Sequence, residues 1–212
     1  MARTSAPRIP GPGRPRLVEP RRRGATGREE ILDASAELFV RHGYSGTSTR
    51  MIAEAVGIRQ ASMYHYFKNK DDILAALLET TVVASLDRAR ELLIEDGPPL
   101  PRLLALARFD AQQLVDARWN LGSLYLLPEV ADDRYSEFRT ARAELARAYE
   151  AMAADVLNNP QDTRYLLPFR LVESLIMLRS DEERGELGGH TASGMVDTII
   201  GAIEMLLVHQ AG

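Results

Sequence analysis

One glycine between two short stretches of helical periodicity constrains this chain more than any other feature. In STRMIAEAVGIRQASMYHYFKNK, from Ser48 to Lys70, the apolar residues Ile52, Ala53 and Val56 recur at helical spacing. Thr47 or Ser48 stands ahead of them as a cap, its hydroxyl accepting an otherwise orphan backbone N–H. Gly57 follows, at a turn where positive φ is cheap only without a Cβ. A second helix is expected from Arg59, with Met63 and Phe67 turned inward and Gln60, Ala61, Ser62, Tyr64, His65 and Tyr66 outward. An outward Tyr-His-Tyr cluster adds little to a fold. Its hydroxyls and ring N–H groups suit phosphate oxygens at the edge of a nucleic-acid groove.

The flanking sequence supplies two more helices. Thr26 and Glu29 have capping-box spacing before Ile31, Ala34, Leu38 and Phe39, and Gly43 follows that run as a C-terminal glycine. Asn69 is placed to cap a fourth helix, with Asp71 and Asp72 at its positive dipole end. Its apolar side, Ile73, Leu74, Leu77, Leu78 and Val82, continues to about Leu93.

The frame of Gly43-Tyr44, Thr47-Ser48, Ile52-Ala53, Gly57, Tyr64-His65-Tyr66-Phe67 and Lys70 resembles the helix-turn-helix of the tetracycline-repressor (TetR) family of bacterial transcription regulators. The likeness covers residues 25–75 closely and the remainder in architecture only. Met51 departs from it, standing where an acid often closes a capping box, so a one-sided cap is expected. Arg59 departs too, opposing the helix dipole where Ser or Thr often caps the second helix. The resemblance implies that Thr49, Tyr64 and Lys70 hold phosphates while Arg50, Gln60, Ala61 and Ser62 face base edges. Thr47, Ser48, Arg59, His65 and Tyr66 complete the expected DNA-binding set. It also implies a homodimer formed through the last two helices, on a double-stranded DNA operator.

Charge divides the chain in the same place. Residues 1–70 carry 13 Arg and Lys against 6 Asp and Glu, whereas residues 71–212 carry 13 against 24. A basic head on an acidic body docks on a polyanion in one orientation. Residues 1–24, rich in Pro, Gly and Arg, read as a disordered basic arm, and Gly13-Arg14-Pro15-Arg16 resembles the core of an AT-hook. The domains expected are this arm, a DNA-binding domain over 25–72 with the helix-turn-helix at about 47–66, and a ligand-binding and dimerisation domain over 73–212.

The body reads as helices throughout, with no alternating run of β-branched residues. Gly97-Pro98-Pro99 precedes a helix carrying Leu103, Leu106, Ala107 and Ala111. A shorter helix is expected over 119–127, a long one over 133–157, one over 165–180 and a nearly all-apolar one over 191–209. The last two are the expected dimer helices, and Gly194 and Gly201 lie on roughly one face of the last. The fold class is therefore all-α, an N-terminal three-helix head plus a helical bundle, with about nine helices. Phe109, Trp119, Tyr125, Tyr149 and Phe169, each also a natural core filler, are spread over the body as candidate walls of an apolar ligand pocket. Arg170 and Glu173 are its polar candidates, spaced to neutralise each other.

Cysteine is absent, which excludes disulfides and thiol chemistry. The four histidines are scattered, and no phosphate loop, nucleophile elbow or metal signature is present, so no enzyme activity, cofactor or metal is expected. A cytoplasmic protein with no membrane span is expected. The expected function is a homodimeric repressor released from a pseudopalindromic operator by a small lipophilic ligand. The alternatives are a regulator or activator governed by a protein partner, and a helical enzyme with an incidental head.

Overall fold

A computed structural model describes residues 23–209. The arm through Arg22, with its AT-hook-like segment, lies outside the described residues. Helix α1 (Gly27–His42) opens on a reciprocal capping box: Thr26 Oγ1 accepts from the Glu29 N–H at 3.3 Å, and Glu29 Oε2 accepts from the Thr26 N–H at 3.2 Å. Helix α2 (Thr49–Val56) has the one-sided cap expected from Met51, its N–H donating to Ser48 Oγ at 3.2 Å. Gly57 adopts φ 78° and ψ 34°, a left-handed conformation, and closes α2 by donating to Ala53 O.

Helix α3 (Gln60–Met63) is a single turn. Arg59 offers no side-chain cap, and past Met63 the backbone tightens, with Tyr66 N–H donating three residues back to Met63 O at 2.9 Å. The expected second helix is thus shorter than its aromatic run. Helix α4 (Lys70–Ile94) starts where Asn69 Oδ1 accepts from the Asp72 N–H at 2.8 Å. Its first half buries Ile73, Leu74, Leu77, Leu78 and Val82 against Ile31, Phe39, Ile52, Val56, Met63 and Phe67. Its second half buries Leu86, Ala89 and Leu92 in a separate core.

That core belongs to the body: α5 (Pro99–Asp116), α6 (Ser136–Leu157), α7 (Leu167–Glu183) and α8 (Val196–Val208). Asn158, in the left-handed region at φ 46°, ends α6. Helix α7 runs past the expected end at about residue 180 because no glycine interrupts the chain before Gly185. Between α5 and α6 the chain forms three 3-10 turns, Leu121–Leu126, Pro128–Ala131 and Asp133–Tyr135. Where one helix was expected over 119–127, this 3-10 connector presses onto α7. A Cβ at Gly122 would lie 2.6 Å from Ile176 Cδ1, so any larger residue would force the Ile176 side chain to move. The connector and the start of α6 lend Leu124, Val130, Tyr135 and Phe138 to the head core. The head core therefore extends beyond the boundary expected at residue 72.

The body core contains one buried carboxylate. Asp110 is 5% exposed on α5, where Oδ1 accepts from Ser85 Oγ at 2.8 Å and Oδ2 from the Tyr149 hydroxyl at 3.0 Å. Burial pushes its carboxyl up to about 6, against the opposing pull of the two hydroxyl donors. The folded state therefore binds this proton more tightly than the unfolded chain, and the cost of burying the charge fades as pH falls from about 7 toward 4. Asp110→Asn should remove that slope, changing the pH dependence of stability by on the order of 2–3 kcal/mol across the window. Urea midpoints measured against pH check this; parallel profiles for the two proteins would contradict it.

Candidate nucleic-acid interface and effector cavity

The outward surface of the head is built by anchoring α3 from beneath. Met63 is 0% and Phe67 4% exposed. That burial turns Gln60 and Ala61 outward, with Ser62 half-buried beside them. Tyr64, His65 and Tyr66 follow on the exposed side, the two tyrosines 46% and 50% accessible. Gln60 Nε2 donates to Thr49 Oγ1 at 2.8 Å and to the Tyr64 hydroxyl at 3.3 Å. Thr49, Gln60 and Tyr64 thus form one polar patch across α2 and α3, which pre-orients the Gln60 amide. Arg50 pairs with Glu54 one turn along α2 at 2.8 Å, and both stay exposed. Ser48, at the N-cap, and Arg59, ahead of α3, are also exposed.

Two members of the expected set sit elsewhere. Thr47 is 2% exposed, and its hydroxyl donates to Leu38 O at 3.1 Å and Gly43 O at 2.9 Å. It fastens the α1–α2 loop and does not reach the surface. Lys70 turns inward as well: Nζ donates to Tyr44 O at 2.7 Å and Thr47 O at 2.9 Å, and lies 4.0 Å from the Tyr44 ring centroid. Its ammonium ties the start of α4 to the loop that sets α2, a role its place beside the aromatics did not reveal. Tyr44 completes the knot by donating its hydroxyl to Asp71. Burial, then that bond, pushes the Tyr44 phenol far above its usual range, so it stays a donor.

In the body, four of the seven expected pocket residues converge. Tyr125, Phe169, Arg170 and Glu173 surround Arg142 of α6, a residue the sequence reading missed. Arg142 gives Nε and Nη2 to Glu173 at 2.8 and 2.6 Å. Its guanidinium lies 5.7 Å from the Tyr125 ring and 5.4 Å from the Phe169 ring. Arg170 also reaches Glu173, at 2.8 Å, as its spacing predicted. Tyr149 sits one layer deeper, against Phe169 and Asp110. Phe109 is half-buried on α5. Trp119 faces the head, its indole N–H 3.3 Å from Asp33 Oδ1 and its ring beneath Arg118 and Arg41. The signal for Arg142 was present: it occupies the apolar stripe Phe138, Leu145, Tyr149, Met152 of α6, where a charge needs a partner.

Two cavities meet at Arg142. One of about 320 Å³ lies between the 3-10 connector and α6, and one of about 220 Å³ opens along α7 beside Arg170, Ser174 and Met177. Beside the expected Arg170 and Glu173, Arg139 and Arg142 also interrupt the apolar walls. Among the described residues no helix is long and apolar enough to cross a membrane, and no cluster of three His, Asp or Glu residues is placed to hold a metal.

A short, outward helix set by a glycine turn and carried on a helical body defines a helix-turn-helix protein. Residues 31–77 match the profile of the family described as bacterial regulatory proteins, tetR family. The solved structure of Mycobacterium smegmatis AmtR is 51% identical, covers 91% of either chain and superposes with a TM-score of 0.81. The chain belongs to the tetR family. Among curated relatives, the HTH-type transcriptional repressor KstR2 of M. smegmatis is 33% identical over 41% of this chain and 43% of its own. KstR2 of Rhodococcus jostii is 30% identical over 58% of this chain and 63% of its own, so the match spans less than two thirds of either repressor.

Lys70→Met separates an internal role from a phosphate contact. Losing two charge-assisted bonds to carbonyl oxygens should cost about 1–3 kcal/mol of stability without any DNA present. Chemical denaturation of the free protein reads this. An unchanged midpoint would return Lys70 to the DNA surface.

Proposed function

We propose that this protein is a cytoplasmic, homodimeric transcriptional repressor whose α3 enters the major groove of a pseudopalindromic operator and which a small molecule in the body releases. The observation that carries the reading is the exposed Gln60-Ala61 edge, with half-buried Ser62 beside it, anchored by buried Met63 and Phe67 on a head that is basic against an acidic body. The Thr49 and Tyr64 hydroxyls, 3.4 Å apart, flank that edge and meet phosphates in this reading, with Arg50, Ser48, Arg59, His65 and Tyr66 around it. Gln60 reads a base, Ala61 meets a thymine methyl and Arg50 swings from Glu54 to a guanine or a phosphate. The tetR family assignment and the repressor names of its curated relatives support the same reading.

Dimerisation through α7 and α8 supplies the second half-site. Leu167 and Met177 on α7, and Met205 and Val208 on α8, are large apolar residues between 44% and 60% exposed. A Cβ at Gly201, one turn before Met205, would meet nothing within 4 Å, so that face lies open in the single chain. Small and apolar residues on two neighbouring helices let a second copy approach closely. Effector binding then opposes operator binding by as much as the operator opposes the effector, because the coupling is reciprocal.

The reading is tested by selecting sites from random duplex DNA. It predicts an inverted repeat, and Gln60→Ala should relax preference at one position of each half-site at a cost of about 1–3 kcal/mol there. Selection of no site, or an unchanged consensus with Gln60→Ala, would refute the assignment of α3. Gly201→Leu should leave the fold intact but yield monomers by light scattering, with operator affinity lowered about tenfold or more. A dimeric, fully competent Gly201→Leu would move the interface off α8.

A further inference from the structure

We propose that the cavity between the 3-10 connector and α6 takes a small carboxylate with an apolar body, its charge received by Arg142 and Arg139. The proposal rests on reading the body as an effector domain. At about 320 Å³ the cavity stands at the small end of ligand sites, and its walls are chiefly Tyr125, Leu127, Val130 and Phe138. The charged side chains that line it are Arg139 and Arg142, both cationic. Glu173, the partner of Arg142, lines the neighbouring cavity instead.

The donor arrangement completes the case. Arg142 commits Nε and Nη2 to Glu173, which leaves Nη1 for another acceptor. Arg139 commits Nη1 to Val130 O and Asp132 O, and its Nη2 lies 3.8 Å from the exposed Asp133 Oδ1, which leaves Nε. A neutral apolar ligand would dry these guanidinium edges without pairing them, and a cation would be repelled. A carboxylate pairs with them while its apolar part covers Phe138 and Val130. The site also reaches the head. Arg139 clamps the connector through Val130 O and Asp132 O, and the connector holds the head through Glu129, which accepts from Ser45 Oγ at 3.1 Å, and Arg134, which pairs with Asp71. A carboxylate that draws Arg139 toward the cavity loosens that clamp.

Calorimetric titration of the full-length protein at neutral pH with benzoate and octanoate, and with benzamide and octanamide, tests the class. At least one acid should bind, its amide about tenfold or more weaker, with shifts of the Tyr125 and Phe138 ring resonances. The double variant R142M/E173Q removes the cation together with its carboxylate partner and should weaken the acid about tenfold or more. Should that variant fail to fold, the acid-to-amide ratio on the unaltered protein decides alone. Binding of neither acid at about millimolar concentrations, equal binding of acid and amide, or undiminished binding by a folded double variant would overturn the proposal. Failure to select any operator would instead sink the regulator reading and leave the titration result standing.

Discussion

One uninterrupted helix serves as a wall of both hydrophobic cores, and the arrangement of everything else follows from it. The 25 residues of α4 span roughly 37 Å at about 1.5 Å per residue. The helix passes from the head core at Ile73–Val82 to the body core at Leu86–Leu92 with no glycine or proline between. Without a breaker there is no hinge, so the head follows whatever tilt the body gives α4. Midway, where one core gives way to the other, the Thr80 and Thr81 hydroxyls donate to Leu77 O and Leu78 O at 2.6 Å each. Back-bonding of this kind favours a gentle bend, placed here between two packed ends.

The head is held from a second direction by polar ties that are individually weak. Asp71, at the start of α4, accepts from Tyr44 in the head and from Arg134 on the connector, with the Tyr135 hydroxyl 3.4 Å away. Asp33 of α1 receives Arg118 at 2.7 Å. Such half-exposed pairs contribute about 0–1 kcal/mol each, far less than the apolar burial along α4. They set orientation without locking it. A body that rearranges slightly can exchange them at small cost while the two cores stay intact, which suits the proposed release of the head by a ligand in the body.

How much of this was legible in the sequence depended on whether the deciding signal was local. The α1 capping box, the one-sided Ser48 cap, the Gly57 turn and the Asn69 cap are set by residues within four positions of one another, and each was readable. The inward faces of Thr47 and Lys70 were not, because Thr47 reaches back nine residues to Leu38 O on α1 and Lys70 hangs on Tyr44 O and Thr47 O, 26 and 23 residues away. The 3-10 connector reads from sequence as an ordinary helix, since nothing local announces that Gly122 lies against Ile176 of α7. Arg142 and Asp110 were passed over because charged residues in amphipathic helices usually face water. Their positions in line with buried Leu145 and Leu106 showed otherwise.

The shortness of α3 bears on how such a protein changes over time. Its fold is secured by Met63 and Phe67, both turned inward beneath it, and by the Gly57 turn before it. Gln60 and Ala61 project from the turn and add nothing to either core. On the proposed operator reading, substitutions there would alter which base pairs are read while leaving the scaffold's stability nearly untouched. On that reading, new target sites would be open to this chain through single, structurally silent replacements, with the helical body carried along unchanged.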